Sequence, residues 1–274
     1  MKNDIERLLT TDTAKYSDQQ CMWLLEHIGD LNGDIRDRIV YGSFCHGFLD
    51  NNFSTEQMKM IANYVTENEL LFLNIDENNN SHIFTRTFTA LLGSLLLHKD
   101  KQNPFLTSLQ RQKWLEWAIK YLTVEKDWRG FINEHGWAHS IAHGSDLLAE
   151  AVSHPSFSAD QLKRSLLTVK SILNRQTGPF ENDEEERLAM IILSHSNNSK
   201  RNFKDTLDFL EQLNTSLWTQ YQDTEGSRTS YYQISSWKRI LMTLYFNSLK
   251  YKTTVKPMID QYFKNMGYLT DEVR

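Results

Sequence analysis

"MWLLEHIGDLNGDIRDRIVYGSFCHGFL", residues 22–49, is the stretch whose reading decides the fold class. Trp23, Leu24 and Ile28 recur at helical spacing, and beyond the tight "GDLNGD" turn so do Ile35, Ile39, Val40 and Phe44. Two amphipathic stripes across so short a turn make a helical hairpin. Working outward, the same alternation predicts helices over 18–29, 34–49, 55–67, 81–98, 107–123, 137–152, 159–174, 183–195, 203–220, 230–249 and 255–265. Ser54 with Gln57 and Ser158 with Gln161 have capping-box spacing, and Ser17 and Asn32 precede helices as caps would. The four prolines all fall between apolar-periodic segments, and no run alternates apolar and polar long enough to demand a strand.

Hairpins of roughly 40 residues match the two-helix unit of HEAT and armadillo solenoids. The expected fold class is therefore all-α, with helical hairpins stacked as a HEAT/armadillo-like α-solenoid forming a single domain over 1–274. The 274 residues bury a large core, and 40% hydrophobic with 24% charged content is that of a globular chain. A net charge of −5 opposes a sequence-independent grip on nucleic acid, which needs a concentrated basic surface. Cys21 and Cys45 lie in apolar segments without metal or redox spacing and read as reduced, buried thiols. The first residues lack the basic-then-apolar order of a signal peptide, and "ALLGSLLLH" from Ala90 is too short to span a bilayer. A cytoplasmic protein without a membrane partner is expected.

Chemistry concentrates in "EKDWRGFINEHGWAHSIAHGSDLLAEAV", residues 125–152. If a helix runs from Trp137, then at 100° per residue His139, His143 and Asp146 fall within about 60° of one another. Two His at i and i+4 can share a divalent ion, although Ser140 stands where a zincin places its catalytic Glu. The alternative is that these imidazoles serve structure, hydrogen-bonding a carboxylate or carbonyl of the 125–130 loop while Trp137 is buried at the helix start. Glu125, Asp127 and Arg129 end the preceding helix and either face a ligand or pair among themselves. Arg86, between Phe84 and Phe88, needs a partner if buried and otherwise snorkels to solvent. Glu184 and Glu185 suit a helix N-terminus without further purpose, and Tyr231, Tyr232 and Trp237 read as packing. His154, beside Pro155, reads as a loop residue whose loss costs little. Walker, Rossmann, G-x-S-x-G and zinc-ribbon patterns are absent from the sequence.

The block E-K-D-x-R-G followed by G-W-A-H-x-x-A-H-x-x-D, carried by Glu125, Lys126, Asp127, Arg129, Gly130, Gly136, Trp137, Ala138, His139, Ala142, His143 and Asp146, resembles the hallmark of the bacterial domain of unknown function 2785 family. Arg36–Asp37, "FTRTF" from Phe84 and "EERLA" from Glu185 extend the resemblance, while Trp128 stands where a smaller aliphatic residue is more usual. The resemblance implies a helical-repeat fold and no assigned activity.

Two functions remain in view. The favoured one is a binding scaffold whose concave groove, with Arg86, Arg129, His139, His143 and Asp146, receives a protein segment or a small anionic ligand; Glu125, Asp127, Trp137, Glu186 and Arg187 complete the candidate ligand-binding set. The alternative is a metal-dependent hydrolase, with His139, His143 and Asp146 or another carboxylate holding a divalent metal, the one cofactor the spacing admits.

Overall fold

Helix starts follow from short polar side chains that take up orphan N–H groups. Ser17–Gln20, Ser54–Gln57 and Thr107–Gln110 form reciprocal capping boxes at the starts of α2 (Asp18–Glu26), α4 (Thr55–Glu67) and α6 (Ser108–Val124). Ser158 and Gln161 exchange the same pair of bonds at the start of α8 (Ala159–Arg175). Asn32 Oδ1 accepts from Asp34 N at 2.9 Å, as a cap does. A computed structural model describes residues 1–11, 13–77, 80–197 and 200–269, and these are predominantly α-helical. The chain divides into two units, Met1–Gln161 and Leu162–Arg274.

In the first unit, α1 (Lys2–Leu8) precedes α2, and a π-helical segment, Asp34–Tyr41, runs into α3 (Gly42–Leu49). The centre is α5 (His82–Gln102), packed against α3, α4, α6 and α7 (Ser140–Val152), which explains why it is apolar around most of its circumference. Trp114 fills the space above Gly93, whose missing Cβ would run into the indole, and donates Nε1–H to Thr66 Oγ1 at 2.9 Å. In the second unit, α9 (Glu184–Asn197), α10 (Lys200–Asp223) and α12 (Lys252–Asn265) surround or flank α11 (Arg228–Asn247). Buried Trp237 donates to Asn214 Oδ1 there, at 3.1 Å.

Three expectations about elements need correction; the first is that Pro257, expected between helical segments, lies inside α12. The stretch 34–49 is helical but begins as a π-helix, a widening often found where a side chain needs a particular aim. The helix expected from 137 begins instead at Ser140, because Trp137 pairs with Phe131 in a two-residue antiparallel hairpin, β1 (Phe131–Ile132) and β2 (Gly136–Trp137). Gly136 at φ +83° and His139 at φ 54° then turn the chain into α7. Both thiols are free, Cys21 buried and Cys45 half-buried, and burial pushes the Cys21 thiol up to about 12. No described helix is long and apolar enough to cross a membrane.

Candidate functional site

The 125–139 segment is irregular backbone, and two fully buried arginines fix it. Arg86 on α5 meets Glu125 through two bonds, Nε to Oε2 at 2.7 Å and Nη2 to Oε1 at 3.1 Å, with both side chains essentially sealed from solvent. Its Nη1 donates to Leu73 O and Asn80 Oδ1, and Glu125 Oε1 also accepts from the Lys126 and Asp127 N–H groups. A buried charge pair is tolerable when its remaining lone pairs are occupied in this way. Arg86 thus holds the entry to the segment.

Arg36, from the π-helical segment, holds the exit. Its guanidinium lies over Phe84 and Phe88, 4.2 and 4.8 Å from their ring centroids, and pairs with Asp37 at 2.8 Å. Nη1 donates to Asp30 O, while Nη2 donates to His135 O at 2.8 Å and reaches Trp137 O at 3.4 Å. Burial lowers its pKa and raises that of Asp37, and each is countered by the other's charge. Between these anchors, Asp127 accepts from Arg129 Nε at 2.8 Å, Arg129 Nη2 reaches Asn80 O at 3.0 Å, and Ser140 Oγ donates to Asp127 O at 2.5 Å. The Ala138 and His139 N–H groups donate to Gly130 and Arg129 carbonyls.

On this base the hairpin presents aromatic surface. Phe131 is 55% exposed and Trp137 38%, their rings edge-to-face at 5.0 Å, so the expectation of a buried Trp137 is overturned by the strand pairing that turns it outward. Ile132 points the other way, against buried Ile83, Phe84 and Ala138. The Trp137 indole stacks on His139 at 4.4 Å, His139 meets His143 edge-on at 5.6 Å, and His143 meets Phe88 at 5.4 Å. Exposed Leu31 adjoins the patch, its carbonyl 3.3 Å from His135 Nδ1. Asp146 is half-buried further along α7.

The structure thus gathers Arg86, Glu125, Asp127, Arg129, Trp137, His139 and His143 around one segment, with the arginines and acids beneath and the aromatics above. Glu186 and Arg187 stand on the first turn of α9 in the second unit, where Glu186 takes Arg239 Nη2 at 3.1 Å and Arg187 is exposed. Glu185 is buried beside them, bonded by Ser236 Oγ at 2.8 Å, and burial raises its pKa. Sequence reasoning passed over Arg36 as an anchor and misread His154. That imidazole is buried, 3.4 Å from the Asp100 carboxylate, because the turn at Pro155 folds it inward instead of leaving it in an exposed loop. Among the described residues no three His, Cys, Asp or Glu side chains converge as a metal-ligand set.

Fold and site together define an all-helical protein with an aromatic hairpin clamped by buried arginines. Residues 71–246 match the model of the family described as protein of unknown function (DUF2785), and the chain belongs to that family. Comparison with curated proteins and with solved structures returned no match.

Proposed function

We propose that the chain is a bacterial, cytoplasmic helical-repeat protein of the HEAT/armadillo kind, one domain over 1–274, that works as a binding scaffold with the β1–β2 hairpin as its contact surface for a protein segment. The observation that carries this reading is a pair of exposed aromatic rings on backbone that two buried, ion-paired arginines hold still. Rigid aromatic anchors give contact area at small entropic cost, which is what binding surfaces require. His139 adds support: it holds left-handed backbone at φ 54°, where Gly would be cheaper, while its ring backs Trp137. A protein segment is preferred over a small anion because Arg86 and Arg129 already carry Glu125 and Asp127, which an anion would have to displace. A segment laid on Phe131 and Trp137 needs no such exchange. The test is a photo-crosslinking residue at position 131 in the native host. A discrete adduct that Trp137→Ala removes is expected; an identical adduct pattern from a crosslinker at exposed Leu109 would overturn the reading.

The approach of the His139 and His143 rings to 5.6 Å favours one second reading, a metal-dependent hydrolase using these two imidazoles, without the carboxylate of Asp146 or another acid that the spacing led one to expect. A metal there would take further ligands from water or substrate. Elemental analysis of gently purified protein decides it: less than about 0.1 metal per chain, with no thermal shift on adding zinc or manganese, removes this reading.

A further inference from the structure

The turn of the β1–β2 hairpin lies against the turn that precedes the π-helical segment. A Cβ placed on Gly33 would stand 3.3 Å from His135 O, and Leu31 O is 3.3 Å from His135 Nδ1. Three carboxylates belong to these two turns. Glu134 is exposed at the hairpin tip, three residues from Phe131 on one strand and from Trp137 on the other. Asp37 turns Oδ2 to the seam between the turns, 3.8 Å from the Cβ positions of both Gly33 and Gly136, and Asp30 is half-buried beside exposed Leu31.

The neighbouring cations are already matched. Arg36 pairs with Asp37 at 2.8 Å and has Asp30 in its field as well. Arg38 is held by Asp34 and Glu6, Arg86 by Glu125, and Arg129 by Asp127. Lys126 is 3.8 Å from Asp76, while in α1 Lys2 lies in the field of Asp34 and Arg7 pairs with Asp4. Glu134 makes no ion pair among the described residues. Asp30, Asp37 and Glu134 therefore stand against the single charge of Arg36.

We infer that the segment received at the hairpin is a basic one, its apolar side chains lying on Phe131, Trp137 and Leu31 and its Arg or Lys side chains meeting Glu134, Asp37 and Asp30; this rests on the scaffold reading above. Carboxylates in excess of their cations draw a basic segment and repel an acidic one, and such a rim sets partner choice more than raw affinity. The exposed rings act in the same direction, because a guanidinium or ammonium is attracted to an aromatic face.

The test uses the full chain with the photo-crosslinker at position 131 and two dodecapeptides of equal Leu, Ser and Gly content, one carrying four Arg and the other four Glu. At pH 8, where histidine is neutral, the Arg peptide should give about tenfold more adduct than the Glu peptide, and the difference should shrink at high salt. Glu134→Lys with Asp30→Asn should cut the Arg-peptide adduct by about fivefold or more with an unchanged thermal melt, since Glu134 is exposed and Asn keeps the acceptor used by Asn32 N. Equal labelling by the two peptides would overturn the inference, as would an Arg-peptide adduct that the double variant leaves intact or that a crosslinker at Leu109 reproduces. A native-host adduct removed by Trp137→Ala but untouched by the double variant would also overturn it, while leaving the hairpin as a contact surface.

Discussion

Removing the Arg86 guanidinium would strand the Glu125 carboxylate inside the first unit without its main counter-charge. Arg86→Met should therefore cost about 3–5 kcal/mol in denaturant melts, and Arg86→Met with Glu125→Leu should recover much of that, since a missing pair is cheaper than an orphaned charge. His154 is the second case. Its ring reaches buried Asp100, to which Arg111 and the Phe105 and Leu106 N–H groups also donate. His154→Ala should cost about 1–3 kcal/mol, not the small loss that a loop position suggests. Burial by itself would raise the Asp100 pKa, but bonds from His154, Arg111 and the backbone outweigh it and hold the carboxyl well below the usual range. A depressed carboxylate stabilises the protein above its unfolded value and loses that contribution as pH falls through the folded one. The wild type should lose stability below about pH 4 more steeply than Asp100→Asn, measured by melts across the acid range. Arg86 was legible because an arginine between phenylalanines in an oily helix needs a partner. Arg36 was not: beyond Asp37 and Asp30 close by, the partners that make it an anchor are carbonyls of His135 and Trp137 about a hundred residues away, and carbonyls leave no trace in sequence.

At the scale of elements, periodicity and capping chemistry carry most of what the sequence discloses. α4 falls where its apolar stripe and Ser54–Gln57 box place it, at Thr55–Glu67. The short α1 went unseen because seven residues hold too few turns to establish a period. The β1–β2 hairpin escaped for the same reason, and only its last residue, Trp137, fell within the helix expected from 137. Close helix packing makes its own prediction: Gly93→Ala, normally favourable within a helix, should destabilise by about 1–3 kcal/mol because the new methyl meets the Trp114 ring. The helix start makes another. At His139, φ 54° means that Gly should be more stable than Ala by about 1 kcal/mol in matched denaturant melts, although neither restores the stacking on Trp137.

At the scale of the whole chain, α8 runs continuously from Ala159 to Arg175, through the division at Gln161. A single domain should accordingly unfold in one denaturant transition, with Trp237 reporting the same midpoint as Trp114 when each is made the sole tryptophan. Separated midpoints would mean that the two units are independent. The all-helical class was legible from helix count and short joins, whereas the way the helices pack within each unit depends on long-range contacts that no local pattern encodes. The family match likewise spans residues 71–246 without assigning them a task, so chemistry must be read from the loop itself. There, the exit side is held mostly through main-chain oxygens: Arg36 takes carbonyls of Asp30, His135 and Trp137, whatever side chains those positions carry. The loop's shape is thereby uncoupled from its outward-facing composition. Positions 31, 131 and 133 could be randomised together and still be displayed on the same framework, letters exchanged on a fixed page, whereas 134, at φ 68°, would keep its preference for Gly or Asn.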